Sequence, residues 1–482
     1  MVRSVVRAAP AATEELLAAF RAVRLQFEVP ESFPAEVDAA AREAAATAVE
    51  ADRVDLRDVP FVTLDPPGSL DLDQALAISR RAGGGWLVRY AIADVAAWVA
   101  PGGPVDAEAR RRGVTLYSPD LRTPLHPPVL CEQAASLLPD GDRPALAWHL
   151  ELDDAGALIG DPVVERAIVR SRAQLDYPAV QAALDAGRAD EVIVLLEEVG
   201  RARLAQEQQR GGVSLDLPDQ QVLFQDGRYV VSYRRPLPVE GWNAQLSLLT
   251  GIAAAQLMVA GGTGLLRTLP PPDPRTLDAI RRSARALGLA VADTASYAEV
   301  VRAADPATDA GAALLHQAAR GLRGAGYVVL GPDTASGPEL EHSAIASTYA
   351  HVTAPLRRLA DRFANEVALA LSAGTPVPAW ATEALPTLPQ IMAEAHEREG
   401  RLTRAMIDTV EALILRDRVG QSFDGAVTTI DHKGGVVQLR DPAVLAHVAG
   451  VTDALLGHDV TVRLDAVDVP SRTVTFTRVM PS

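Results

Sequence analysis

Between Pro60 and Leu152 the chain is written in short apolar segments, FVTL, LAIS, WLVRYAIADV and WHLEL, separated by Gly, Pro and Asp. Segments this short and this rich in alternation and β-branched residues do not support helices. They predict a mixed sheet, and that requirement constrains everything around it. Upstream, over residues 13–51, Leu16, Leu17, Phe20 and Val23 recur at helical spacing and an alanine-rich stretch continues from Ala35. These helices are expected to cap the sheet. Downstream, residues 174–209 read as helical, a break follows at Gly211 and Gly212, and VSLDLPDQQVLFQDGRYVVSY carries the DG signal of a hairpin. Helical periodicity returns over residues 242–260, 273–287 and 355–371.

After Gly374, GTPVPAW and ALPTLPQ read as a linker into a long helix ending near Arg418. The remaining stretch, about sixty residues of short strands and turn signals, suits a five-stranded barrel of the OB class. The expected fold is therefore α+β. It has a helical segment at 1–57, a mixed sheet surrounded by helices at 58–372, a linker and long helix at 373–417, and a small all-β OB barrel at 418–482.

Composition excludes several classes of protein. No apolar run approaches the roughly 18 residues needed to span a bilayer, and Arg3 and Arg7 precede no apolar core of a secretory signal. Cys131 is the sole cysteine, which rules out an internal disulfide and any cysteine-rich metal centre. A soluble, cytoplasmic protein is expected. The formal net charge of −16 opposes an indiscriminate coat for nucleic acid but permits a localised basic channel. Lys433 is the lone lysine; arginine otherwise supplies the positive charge, as a codon bias would produce.

The segment DPPGSLDLDQA sets Asp65, Asp71 and Asp73 close together behind a Pro-Pro-Gly bend. In an extended chain residues two apart share a face, so Asp71 and Asp73 point one way while Leu72 and Gln74 take the other. The bend at Pro66, Pro67 and Gly68 lets Asp65 return to the first face. Three oxygen donors without His or Cys suit a hard divalent cation, magnesium or manganese; the alternative is that these aspartates only serve turns and a cap. In HVTAPLRRLADRFANEVALAL, Thr353 has the chemistry of an N-cap and Pro355 that of a first helical turn. Arg357 and Arg358 would then lie at the helix start, where a bound phosphate would suit the dipole. Pairing with a carboxylate such as Asp361 is the alternative.

These stretches, in this order, resemble the catalytic domain of the ribonuclease II and ribonuclease R family, the RNB domain. TLDPPGSLDLDQALAI, YAIADVAAWVAPGGPVDAEARRRGVTLYSP, SRAQLDYPAVQ and YAHVTAPLRRLADR each look like a family block, and the resemblance covers roughly residues 58–372. It implies a magnesium-dependent 3′→5′ exoribonuclease that releases nucleoside 5′-monophosphates from single-stranded RNA; the apolar pattern suggests no membrane, and the sequence points to no obligate protein partner. Asp65, Asp71 and Asp73 fall on three of four signature aspartates, Asp73 being the indispensable one. Arg357 matches the arginine on the scissile phosphate and Arg358 its basic neighbour. Tyr117 matches an aromatic that stacks on the terminal nucleotides, its alternative being a half-buried strand tyrosine, and Glu240 looks like a polar residue of the cavity.

This chain departs from the family where the fourth aspartate falls on Gln74, with Asp94 and Asp361 as candidate substitutes. Thr403, Asp408 and Glu411 fit poorly as the late acidic residue, and a short helical segment stands where longer members carry cold-shock barrels. KGGVVQL offers valines where stacking aromatics are common in RNA-binding OB folds. A rival reading follows, a catalytically weak or inactive RNA-binding protein on the same scaffold.

Overall fold

The computed structural model describes residues 14–47, 52–215, 219–225, 228–306, 308–331, 334, 337–431, 434–452 and 455–480. Lys433, the DG turn of the expected hairpin and both ends of the expected amino-terminal helical stretch lie outside the described residues. Helices α1 (Glu14–Gln26) and α2 (Ala35–Ala46) fall within that stretch, α1 burying Leu16, Phe20 and Val23 as its spacing implies.

The sheet closes on itself. Strands β1 (Val54–Asp65), β2 (Gln74–Arg80) and β3 (Trp86–Ala93) precede helix α3 (Pro104–Arg112), the two-residue strands β4 (Leu116–Tyr117) and β5 (Arg122–Thr123), and then β6 (Asp142–Leu152) and β7 (Val163–Asp176). The order β1-β2-β3-β6-β7 forms a barrel, antiparallel except where β7 returns parallel to β1. Alternation divides its residues between two cores. Ala75, Ala77, Ala91, Ala145 and Ala147 join a small-residue cluster with Phe61 and Leu72. Their neighbours Leu76, Ile78, Tyr90, Leu146 and Trp148 join the large core shared with the helices.

One boundary differs from the expected helix at 174–209. Gln174, Leu175 and Asp176 extend β7, paired with Thr63, Leu64 and Asp65 of β1. The helix begins only after Asp176, whose extended backbone and carboxylate cap it by accepting from Ala179 N at 2.9 Å. Helices α4 (Tyr177–Asp185) and α5 (Glu191–Gln209) follow, then the hairpin of β8 (Asp219–Gln225) and β9 (Arg228–Arg234) and the long helix α6 (Pro238–Gly261). By length and composition α6 could cross a membrane. Here it is a core helix, burying Leu246, Leu249, Ala253 and Ala254 against the rest of the chain.

Strand β10 (Gly264–Thr268), helices α7 (Pro274–Ala286), α8 (Tyr297–Arg302) and α9 (Asp309–Ala319), strand β11 (Gly326–Leu330) and the short β12 (Glu341–His342) and β13 (Ser347–Thr348) lead to helix α10 (Leu359–Ser372). Beyond α11 (Ala379–Ala384), the long α12 (Leu388–Leu415) reaches the final barrel. Strands β14 (Ser422–Asp431), β15 (Gly434–Leu439), β16 (Leu445–Ala449), β17 (Asp459–Asp468) and β18 (Thr473–Arg478) close in the order β14-β15-β16-β18-β17. Its interior is Phe423, Val427, Val437, Val462, Leu464 and Phe476.

α6 fixes the height of the segment that carries Arg357. Ala350 N donates to Gly251 O at 3.0 Å, and a Cβ on Gly251 would lie 2.1 Å from the Tyr349 ring and 2.6 Å from Ala350 O. Gly251→Val should therefore destabilise the protein by about 1–3 kcal/mol, the usual cost of overpacking a filled core. A urea melt shows it as a lowered midpoint; an unchanged midpoint would mean that the two segments are not tightly seated.

Candidate active site

The DPPGSLDLDQA segment leaves the barrel and returns to it. Asp65 ends β1, Gly68 takes φ +79 in the bend, and Ser69 N and Oγ both donate to Pro66 O. The return is held by Ser136, whose Oγ accepts from Leu72 N at 2.9 Å and donates to Leu70 O at 2.7 Å. Leu72 is thereby driven into the small-residue core. Asp71 and Asp73 take the opposite side, as the two-residue period requires.

Asp73 is buried and joins two distant parts of the chain. Oδ1 accepts from Leu356 N at 2.8 Å and Oδ2 from Arg357 Nε at 3.1 Å. Burial nevertheless pushes its ionisation up to about 7, the Arg357 charge only partly offsetting it and Asp71 adding to it. Asp65 is pushed up to about 7 by the same causes. The influence of Asp71 and Arg357 on both groups marks the three aspartates and the arginine as one electrostatic unit. The Arg357 side chain keeps 40% of its surface exposed, and its charge is held by Asp73, Tyr117, Asp71 and Asp65 despite burial.

The loop geometry corrects the helix expected from Thr353. Residues 355–357 form a turn, Arg358 is extended, and α10 starts at Leu359. Two tertiary contacts override the local capping signals. Asp361 reaches back to accept from Ala354 N at 2.7 Å, and the 357–359 backbone pairs with 113–115 through Thr115 N to Arg357 O and Leu359 N to Gly113 O, both at 3.0 Å. Arg357 is thus presented by a turn beside Asp73, and the helix-dipole argument does not apply to it. Arg358 pairs with the fully buried Asp361 at 2.8 Å, the carboxylate alternative raised above. That pair also removes Asp361 as a substitute for the fourth aspartate.

The remaining expected residues separate into two groups. Tyr117 belongs with the cluster: burial, reinforced by the Asp71 charge, raises its hydroxyl above the ordinary range. Opposite it in the β4–β5 pair stands Arg122, which sequence reasoning missed. Its guanidinium bridges Asp71 and Glu132, and although burial opposes its charge these acids hold it above its usual value. The signal was the YSPDLRT turn, whose register brings Arg122 across from Tyr117.

Gln74 opens β2, where its Nε2 donates to Thr353 O and its Oε1 accepts from Tyr90 Oη at 2.9 Å. Asp94 is turned away, its Oδ2 taken by Arg53 at 2.8 Å and by Arg166, so it is no substitute ligand. Glu240 caps α6 by accepting from Leu237 N at 2.9 Å and pairs with Arg234. Asp408 pairs with Arg404, and Glu411 accepts from Gln220 at 2.8 Å.

Three oxygen-only donors in one electrostatic unit fit a hard divalent cation in chemistry. Among the described residues, however, no three such groups stand close enough to enclose one. Asp71 and Asp73 are instead neutralised by Arg122 and Arg357. No hydrogen bond or ion pair reaches the Asp65 carboxylate from the described residues.

A strand-rimmed barrel with aspartates at its edge, an arginine brought back by a distant loop and a second barrel downstream define a class. Residues 53–370 match the RNB domain, and residues 421–479 match the RNase II-type exonuclease C-terminal S1 domain. The chain belongs to the RNB family. It is 27% identical to ribonuclease R of Escherichia coli over 505 residues, covering 93% of this chain and 60% of that protein. The fold is that of Mycoplasma genitalium RNase R solved with ribose-methylated single-stranded RNA, with a TM-score of 0.85 and 18% identity over 97% of this chain and 78% of the other. It is also that of yeast Ssd1, a pseudonuclease, with a TM-score of 0.68 and 15% identity over 86% of this chain and 53% of the other. The chain thus spans about three-fifths of the length of its curated ribonuclease R relative.

The sign of the aspartate shifts gives a prediction. A carboxyl whose folded value is raised from 3.8 to about 7 favours folding below the lower value and loses that contribution as pH climbs through 7. In chelator, Asp65→Asn should therefore be more thermostable than the unaltered protein at pH 8, by several °C, with the gap closing towards pH 4. Equal melting temperatures across that range would show that Asp65 is not a strained buried charge.

Proposed function

We propose that this protein is a divalent-cation-dependent 3′→5′ exoribonuclease that hydrolyses single-stranded RNA to nucleoside 5′-monophosphates. The observation that supports the reading is the Asp73–Arg357 pair, which brings an arginine that would bind phosphate beside the aspartate cluster. Family membership and the RNA-bound relative of the same fold support it.

A phosphodiester is already anionic, and more negative charge builds on its oxygens as water attacks. Arg357 offers a partly exposed guanidinium whose Nε is held by Asp73, so its outer nitrogens would be left to meet a phosphate. Asp65, Asp71 and Asp73 would hold the cation, most simply magnesium, which when bound lowers the pKa of water and stabilises the leaving oxygen. For all three to act as ligands, Arg122 must yield its hold on Asp71, and Glu132 remains to keep that arginine in place. Tyr117, half-buried beside Asp71, would stack on the terminal base without reading it. Arg358, neutralised by Asp361, would support the loop. Glu240, as the cap of α6, would hold the start of that helix.

One observation favours the second reading, an RNA binder without hydrolysis. The Gln74 amide both donates to the Thr353 carbonyl and accepts from Tyr90, a double role that a carboxylate cannot fill. The similarity of fold to a pseudonuclease fits that reading as well.

Purified protein incubated with 5′-labelled single-stranded RNA separates the two. Monophosphate release that needs magnesium, falls at least ~100-fold in Asp73→Asn and ~100–1,000-fold in Arg357→Ala is the expected result. Binding with no shortening of the labelled strand under every metal condition would leave only the binder. Tyr117→Ala should lengthen the last undegraded fragment, and an unchanged ladder would remove Tyr117 from the terminal-base role.

A further inference from the structure

Arg122 stands between two carboxylates whose spacing the backbone sets. The Asp71 segment is tied to residues 136 and 137: Ser136 Oγ accepts from Leu72 N at 2.9 Å and donates to Leu70 O at 2.7 Å, and Leu137 N donates to Leu72 O at 3.0 Å. Glu132 lies just upstream of that anchor, in a helical turn (Leu130–Ala134) that buries Leu130 and Cys131 in the same small-residue core as Leu72. Asp71 and Glu132 are thus carried by segments locked to each other, and the Arg122 side chain is the adjustable member.

Its outer nitrogens are divided between them, Nη1 on Asp71 and Nη2 on Glu132. The Arg122 backbone is held separately, opposite Tyr117 in the β4–β5 pair. The side chain can therefore leave one acid without its strand moving and without its charge losing the other partner. All three side chains are largely covered, with 23% of Arg122, 13% of Asp71 and 21% of Glu132 exposed, so water screens these pairs less than at an open surface.

Asp71 is also the acid that binds the cluster together electrostatically, because its negative charge bears on both Asp65 and Asp73. A positive charge on Asp71 eases all three, as a cation among the acids would. Arg122 is in that sense a surrogate cation. Arg357 is a different case: it pairs with Asp73, and among the described residues no second carboxylate forms an ion pair with it.

We propose that Arg122 is a built-in competitor for the divalent cation, neutralising Asp71 while the cluster holds none and passing wholly to Glu132 when one binds. The inference rests on the cation-dependent reading of the site and adds its regulation. The exchange breaks one ion pair, keeps the other and moves no backbone. It sets the cation concentration at which the acids become available. It also explains why oxygen donors that suit a hard cation by chemistry are not gathered around one point among the described residues.

Manganese titrations, followed by the electron paramagnetic resonance of the free ion, test it without RNA. Relative to the unaltered protein, Arg122→Gln should bind manganese ~10-fold more tightly, because the competing pair is gone. Glu132→Gln should bind it ~10-fold more weakly, because the arginine then has only Asp71 to hold. In chelator Arg122→Gln should melt several °C below the unaltered protein, and saturating manganese should narrow that gap. Opposite signs in the two variants are the signature, since damage to the fold would weaken binding in both. Arg122→Gln binding no more tightly than the unaltered protein, Glu132→Gln binding no more weakly, or a melting gap as wide in manganese as in chelator would overturn the proposal. If none of the three proteins binds manganese, the cation reading falls with it. The expected pattern in a protein that shortens no RNA would leave the competitor standing and sink the ribonuclease reading.

Discussion

Asp73 is the joint on which the site depends. Its two oxygens take the Leu356 amide and the Arg357 guanidinium, so one carboxylate at the edge of a barrel strand fixes a loop 284 residues further along. A buried carboxylate tolerates ionisation only when donors satisfy it, and here both donors come from the same turn. Loop and strand therefore hold each other: without Arg357 the acid is an uncompensated buried charge, and without Asp73 the arginine loses its orientation. The loop's other supports are backbone pairing with 113–115 and the Asp361 bond to Ala354 N, so its position is set from three sides.

The same logic explains why arginines surround the aspartates. Three acids in one unit repel each other, and burial raises two of them to about 7. Arg122 and Arg357 offset that repulsion from two separate elements, Arg122 arriving on the β4–β5 pair and Arg357 on the loop. Asp65 alone lacks a partner among the described residues. A divalent cation carries the charge that would relieve all three at once, and under the proposed function it would compete with the arginines for the acids.

Much of this was legible in the sequence, and what was not has a common cause. The alternation in DPPGSLDLDQA put Asp71 and Asp73 on one side with Leu72 buried on the other, because a two-residue period is a property of any extended chain. The final barrel and α12 were readable from turn signals and apolar period for the same local reason. The helix start at Thr353 misled because its capping chemistry is real but loses to Asp361 and to the pairing with Val114. Gln174 to Asp176 misled similarly, since the parallel partner that makes them a strand is β1, over a hundred residues earlier. Arg122 was signalled only by the YSPDLRT turn, whereas the setting of Asp94 depends on the distant Arg53 and Arg166, which no local pattern encodes.

Gln74 shows how a single position can exchange one kind of order for another. Its amide ties the start of β2 to the Thr353 carbonyl on one side and to Tyr90 on the other, and the Tyr90 hydroxyl in turn meets Ser247 of α6 at 3.0 Å. A carboxylate there would bring charge to the cation but would face the Thr353 carbonyl with no proton to give. The glutamine instead makes a neutral chain from the loop through β2 and β3 to α6, which needs no ion to be satisfied. The arginine loop is consequently preorganised in the protein alone, while a cation bound under the proposed function would have fewer charged ligands. Under the proposed function, a pre-set phosphate-binding loop joined to fewer charged ligands for the cation would favour grip on RNA over the rate of its cleavage.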